Sequence, residues 1–126
     1  MRYRFFYNKT YKANLNLIVD CDEKAFYNKV DKILGLKVER EDLSDGTEGL
    51  YDQFYDKEGV LQRFIWIRCM DWSVSSMAIL VHEIGHYVAN VFTDKGIPYG
   101  EENQETICYF TEWLVNETFN SLAKKK

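Results

Sequence analysis

From Ser73 to Asp94 the chain runs without a proline, and apolar side chains recur along it every three or four positions. At about 100° per residue, Met77, Leu80, Val81, Ile84, Val88, Val91 and Phe92 gather on one broad arc. This periodicity predicts a helix over 73–94. Ser73 or Ser75 is positioned to cap its start, and Gly96 followed by Pro98 to end it. A helix with so wide an apolar arc has to be laid against a sheet or another helix, which restricts the chain to a layered fold.

The opposite side of this helix carries His82, Glu83, His86 and Asn90, the first three within His-Glu-Ile-Gly-His. Residues four apart on a helix stand one above the other, so both imidazoles can reach one ion at about 2.0–2.1 Å, the zinc–nitrogen distance. Glu83 is rotated about 100° from His82. It is expected beside the metal position rather than on it, where a carboxylate can take a proton from zinc-activated water. The plainer reading is a helix whose two histidines face solvent. The chain holds only two histidines, and both fall in this one pattern, inside a strongly apolar helix with a cap before it and a stop after it.

A zinc site that keeps one position open needs three protein ligands. With no third histidine, the third has to be a carboxylate or a cysteine. The next helix is predicted over 102–123, with Ile107, Phe110, Thr111, Leu114, Thr118 and Leu122 as its apolar stripe. Glu105 is the expected ligand, taken to lie inside the helix at the border of that stripe. Glu102 is the alternative. Glu101 and Glu102 stand at the helix start, where acidic residues favour the dipole from solvent, and Glu112 lies two turns beyond Glu105.

Elsewhere, residues 14–20 alternate and become β-branched, which predicts a strand. Asp22 can cap a helix over 23–34, with Phe26, Val30, Ile33 and Leu34 inward and Gly35 as its stop. Ser44-Asp45-Gly46-Thr47 is turn material. Two strands follow, over 50–55 and 60–70, joined as a hairpin through Asp56-Lys57-Glu58-Gly59. In the second, Leu61, Arg63, Ile65, Ile67 and Cys69 share one face, with Phe64, Trp66 and Arg68 on the other. The expected order is strand, helix, hairpin, helix, helix in one α+β domain over 1–126.

Composition narrows the function classes. A net charge of −4 argues against a nucleic-acid surface, which needs a basic face. The closing Lys124-Lys125-Lys126 reads as a solvated tail, and the aromatic, basic opening from Met1 to Tyr7 does not read as a secretory signal. No run approaches the roughly 20 apolar residues of a membrane span. Cys21, Cys69 and Cys108 are odd in number, widely spaced and without a CxxC pair. They are expected as small buried apolar residues in a reduced, cytoplasmic protein.

On His82-Glu83-Ile84-Gly85-His86 and the downstream Glu105, the chain resembles the gluzincin branch of the zincins, with 18 residues between His86 and Glu105. The stretch from Glu105 to Leu114, after Gly96-Ile97-Pro98, further resembles short zincin-like proteins of phages and bacteria. The likeness covers roughly residues 49–122. It implies a minimal zincin-like fold with a small antiparallel or mixed sheet. It also implies Zn2+ on His82, His86 and Glu105, with Glu83 as general base of a metallopeptidase. The substrate it implies is a peptide or protein, added as a strand beside the segment that opens on Val60 and closes on Met70. The downstream histidine of that branch has no counterpart, and Tyr109 stands where the branch has an aspartate that orients the first histidine. Tyr99, Tyr109 and Arg68 are the candidate oxyanion donors. The alternative is a non-catalytic zinc-binding interaction protein that keeps the zincin fold.

Overall fold

The computed structural model describes residues 1–43 and 46–124. Its elements are β1 (Arg2–Asn8), β2 (Ala13–Val19), α1 (Glu23–Leu34), β3 (Gly49–Tyr55), β4 (Leu61–Ile67), α2 (Val74–Asp94) and α3 (Gln104–Ala123), the last preceded by one 3-10 turn, Glu101–Asn103. The strands form one mixed sheet in the order β1-β2-β4-β3. β1 and β2 are antiparallel, β2 and β4 parallel, and β3 and β4 antiparallel. The protein is therefore α+β, with helices on both faces of a small sheet. Ser44 and Asp45, half of the expected turn, lie outside the described residues, as do Lys125 and Lys126 of the tail.

Alternation along β4 assigns the two faces as its sequence suggested. Phe64 and Trp66 point to α1, where they pack with Ile18, Phe26, Tyr27, Val30 and Leu34. Phe26 stacks on Trp66 with ring centroids 5.7 Å apart. Ile65 and Ile67 point to the other face and join Leu15, Leu17, Leu80, Ile84, Val88, Val91, Phe110 and Leu114. Burying each such aliphatic or aromatic side chain is worth about 1.5–3 kcal/mol, so this two-sided core is what holds the sheet between its helices.

The helix ends follow from local chemistry. The Asp22 carboxylate accepts from the Ala25 N–H at 2.9 Å, and Ser73 Oγ accepts from the Ser76 N–H at 3.1 Å, each occupying an otherwise unpaired donor of the first turn. At the far end of α2, Gly96 takes φ +70°, and the Ile97 N–H reaches back to the Phe92 carbonyl at 2.9 Å. That left-handed glycine closes the helix where its position in the sequence indicated.

Several expectations need correction. The opening segment is a strand: β1 pairs with β2 from Arg2↔Val19 to Asn8↔Ala13. Val81, placed on the apolar arc, is 46% exposed, and Tyr87 is buried instead. Cys69 and Cys108 are exposed and Cys21 is half-buried, so none of the three is a core residue. β4 is no sheet edge, because β2 and β3 occupy its two sides. A peptide cannot add beside the strand between Val60 and Met70, and the free edge next to α2 belongs to β3.

Under the C-terminal half of α2 lies a buried cation. Arg63 on β4 is 4% exposed and forms an ion pair with Asp94, the last residue of α2. Its backbone N–H donates to the Asn14 side chain at 3.0 Å. The Tyr51 and Tyr87 rings meet edge to face at 6.2 Å, and burial pushes both phenols well above their ordinary range, with the Arg63 guanidinium pulling the other way. These contacts tie α2 to β2, β3 and β4 at the end away from Ser73.

Candidate metal centre

His82 and His86 project from successive turns of α2, both exposed. Their Nε2 atoms are 3.2 Å apart. That is a hydrogen-bond distance, one ring N–H donating to the other ring's nitrogen, and it also matches the about 3.3 Å between two nitrogens held tetrahedrally on one zinc at about 2.05 Å. Asn90 caps the stripe, donating through Nδ2 to the His86 carbonyl at 2.8 Å.

Glu83 departs from its expected place on the polar side. It is 7% exposed and lies against the start of β3. Gly49 is the contact: an added Cβ there would lie 3.3 Å from Glu83 Oε2 and 2.7 Å from Ile79 Cγ2. The carboxylate has no hydrogen-bond partner among the described residues. Burial pushes its pKa above the ordinary glutamate range, while His82 and His86 pull the other way. A largely buried carboxylate whose oxygens meet only an open cleft is the kind of perturbed group that gathers at functional sites. It lines a cleft of about 380 Å³ together with Gly49, Ser75, Ala78, Ile79 and His82.

The register of β3 shows what the cleft offers. The Arg68 N–H donates to the Glu48 carbonyl at 2.9 Å, and the Asp56 N–H to the Val60 carbonyl at 2.8 Å. Hydrogen-bonded and non-hydrogen-bonded pairs alternate in an antiparallel ladder, so Gly49, Tyr51 and Gln53 direct their main-chain groups to the unpaired side. The Gln53 N–H is taken by the Asp52 carboxylate at 2.8 Å. The open stretch of edge is therefore Gly49 to Tyr51, beside Glu83.

Glu105 is exposed on the first turn of α3. It stands roughly 140° around the helix from the buried Phe110, away from the apolar stripe rather than at its border. Glu102 is likewise exposed, within the 3-10 turn. Among the described residues no three His, Cys, Asp or Glu side chains are grouped to hold a metal. The structure thus brings His82 and His86 together, with Glu83 beside them, and does not bring Glu105 to the pair. Of the oxyanion candidates, Tyr99 lines a separate cleft with Glu101, Gln104 and Cys108, and Tyr109 lines another with Tyr11 and Trp113. Arg68 lies over the Trp66 ring, 5.0 Å from its centroid, on the sheet face opposite α2.

Gly49, Ile79 and Tyr51 escaped the sequence reading. Gly49 opens a strand and carries no side-chain chemistry, and only its close approach to α2 reveals it. Compared with known protein families, curated proteins and solved structures, the chain matches none of them. No helix among the described residues is long and apolar enough to cross a membrane.

Proposed function

We propose that this chain is a small zinc-dependent hydrolase of zincin-like build, acting on peptides in the cytoplasm. The observation that carries the reading is the 3.2 Å approach of the two Nε2 atoms next to a buried, undonated carboxylate. The donor pair fits zinc in spacing and in kind. His82 and His86 would hold the ion, and Glu105, which the structure leaves exposed at the head of α3 and apart from the pair, is proposed as the third ligand. Zinc bound there supplies a Lewis acid that polarises a carbonyl and acidifies water.

The chain's own residues do the rest. The Glu83 carboxylate, raised in pKa by burial, takes up a proton at Oε2 and can return it to a leaving amine. An extended peptide pairs with the free main-chain groups of Gly49 and Tyr51, which sets its carbonyls alongside Glu83. Ile79 and Ala78 give the cleft an apolar wall that excludes water from one side of the bound segment.

Zinc-loaded protein should cleave an unstructured protein, lose this activity to a chelator, and regain it on zinc addition. Glu83→Gln should lower kcat by about 10²–10⁴ while zinc binding persists. Zinc binding without cleavage in the parent protein would instead establish a non-catalytic zinc-binding interaction module. A zinc-to-protein ratio near zero after reconstitution would overturn both readings.

A further inference from the structure

Gly49 is constrained by space rather than by backbone angle. Only Gly35, Gly59 and Gly96 among the glycines take a positive φ. At Gly49 a Cβ would meet Ile79 Cγ2 at 2.7 Å, closer than side-chain carbons pack, and would sit 3.3 Å from both Glu83 Oε2 and the Trp66 carbonyl. The Trp66 carbonyl belongs to β4 and is fixed by the ladder, so the room has to come from α2. By contrast, a Cβ at Gly85, between the two histidines, would meet nothing within 4 Å. The fold thus needs a bare Cα at one end of the cleft, where the edge strand touches the residue proposed to carry the proton.

We propose that Gly49 is a positioning residue. Its missing side chain lets β3 close onto α2, and this contact fixes the Glu83 carboxylate at the wall of the cleft. Ile79 is the other half of the device. It stands one turn before Glu83 on α2, and its branched methyl fills the space that a Cβ on Gly49 would claim. Among the described residues no hydrogen bond orients Glu83, so its contacts with Gly49 and the cleft wall carry its placement. A displacement of a few tenths of an ångström at Gly49 is then passed directly to Oε2. Misplacement of a reacting group by about 1 Å costs on the order of 10²-fold in rate.

This inference rests on the hydrolase reading for its kinetic test, but a second readout does not need activity. In metal-free protein, the Glu83 carboxyl carbon can be assigned in a 13C spectrum as the resonance lost in Glu83→Gln. Gly49→Ala should shift that resonance. Adding Ile79→Ala, which removes the obstructing methyl, should return it toward the parent position. In zinc-loaded protein, Gly49→Ala should lower kcat by about 3–10-fold with KM within about twofold. The double variant should recover most of that loss, and zinc stoichiometry should be equal in all three proteins. An unshifted resonance in Gly49→Ala overturns the proposal, and so does a shift or rate loss that Ile79→Ala fails to relieve. If the parent protein cleaves nothing, the hydrolase reading fails and the spectrum still decides the role of Gly49.

Discussion

His82 Nε2 and His86 Nε2 lie 3.2 Å apart on the exposed side of α2. The two rings meet edge to face with centroids 4.8 Å apart, as side chains four apart on one helix can. Removing either one should abolish the chelate rather than weaken it. His82→Ala and His86→Ala are each expected to lose more than about 100-fold in zinc affinity, since outer-shell partners alone are worth 10–100-fold. Competition with a fluorescent chelator measures this. Glu105→Gln should produce a smaller loss, and an unchanged affinity there would remove Glu105 from the ligand set.

Asp94 and Arg63 form an unequal pair, with side chains 39% and 4% exposed. Removing Asp94 leaves a buried guanidinium without its counter-charge, whereas removing Arg63 leaves a carboxylate that water can reach. Asp94→Asn is therefore expected to cost more than Arg63→Met, about 2–3 kcal/mol against about 1. Urea denaturation of the two variants gives the order directly, and equal costs would contradict the asymmetry.

The Asp52 carboxyl is held above the ordinary aspartate range by burial, with the Gln53 N–H acting against that and the nearby Glu41 adding to it. The folded state then binds this proton more tightly than the unfolded state. Stability is greatest below the ordinary pKa, falls as pH rises through the window up to the folded value, and stays lower above it. Asp52→Asn keeps an acceptor for the Gln53 N–H and removes the charge. Its urea midpoint should exceed that of the parent at pH 7, with the difference gone near pH 3. A gain of equal size at both pH values would assign the effect to something other than ionisation.

Asp22 caps α1 through one hydrogen bond to Ala25 N–H. Asp22→Ala is expected to cost about 1 kcal/mol. The loss should be independent of zinc, because α1 lies on the sheet face away from α2. Thermal unfolding with and without zinc checks both parts.

The sequence made some of this plain and hid the rest. α1 is observed at its expected bounds, with Asp22 before it and Gly35 after it, because caps and stops are local signals. The facing of Phe64 and Trp66 against Ile65 and Ile67 was equally legible, since alternation alone dictates it. β1 was missed because Tyr3, Phe5, Tyr7 and Phe6 give aromatic residues to both of its faces and blur the period. The partners of β4 were hidden as well. A residue string predicts a strand over 60–70, which the structure shortens to Leu61–Ile67, but its pairing with Asn16 to Val19 is a long-range event. The burial of Glu83 depends on Gly49, 34 positions away, and a helical wheel has no means of registering it.

The parallel pairing of β2 with β4 has a consequence for the motif itself. The segment that carries the histidines follows directly from β4, yet one side of β4, from Phe64 to Ile67, is completed by residues Asn16 to Val19. Residues 49–122 alone would expose the Ile65 and Ile67 ladder to any passing strand. The histidine-bearing helix is in this sense not portable: the sheet it packs on is assembled from both halves of the chain. Without the first twenty residues, the sheet under His82 and His86 would keep β3 and β4 but lose the two strands that close it on the other side.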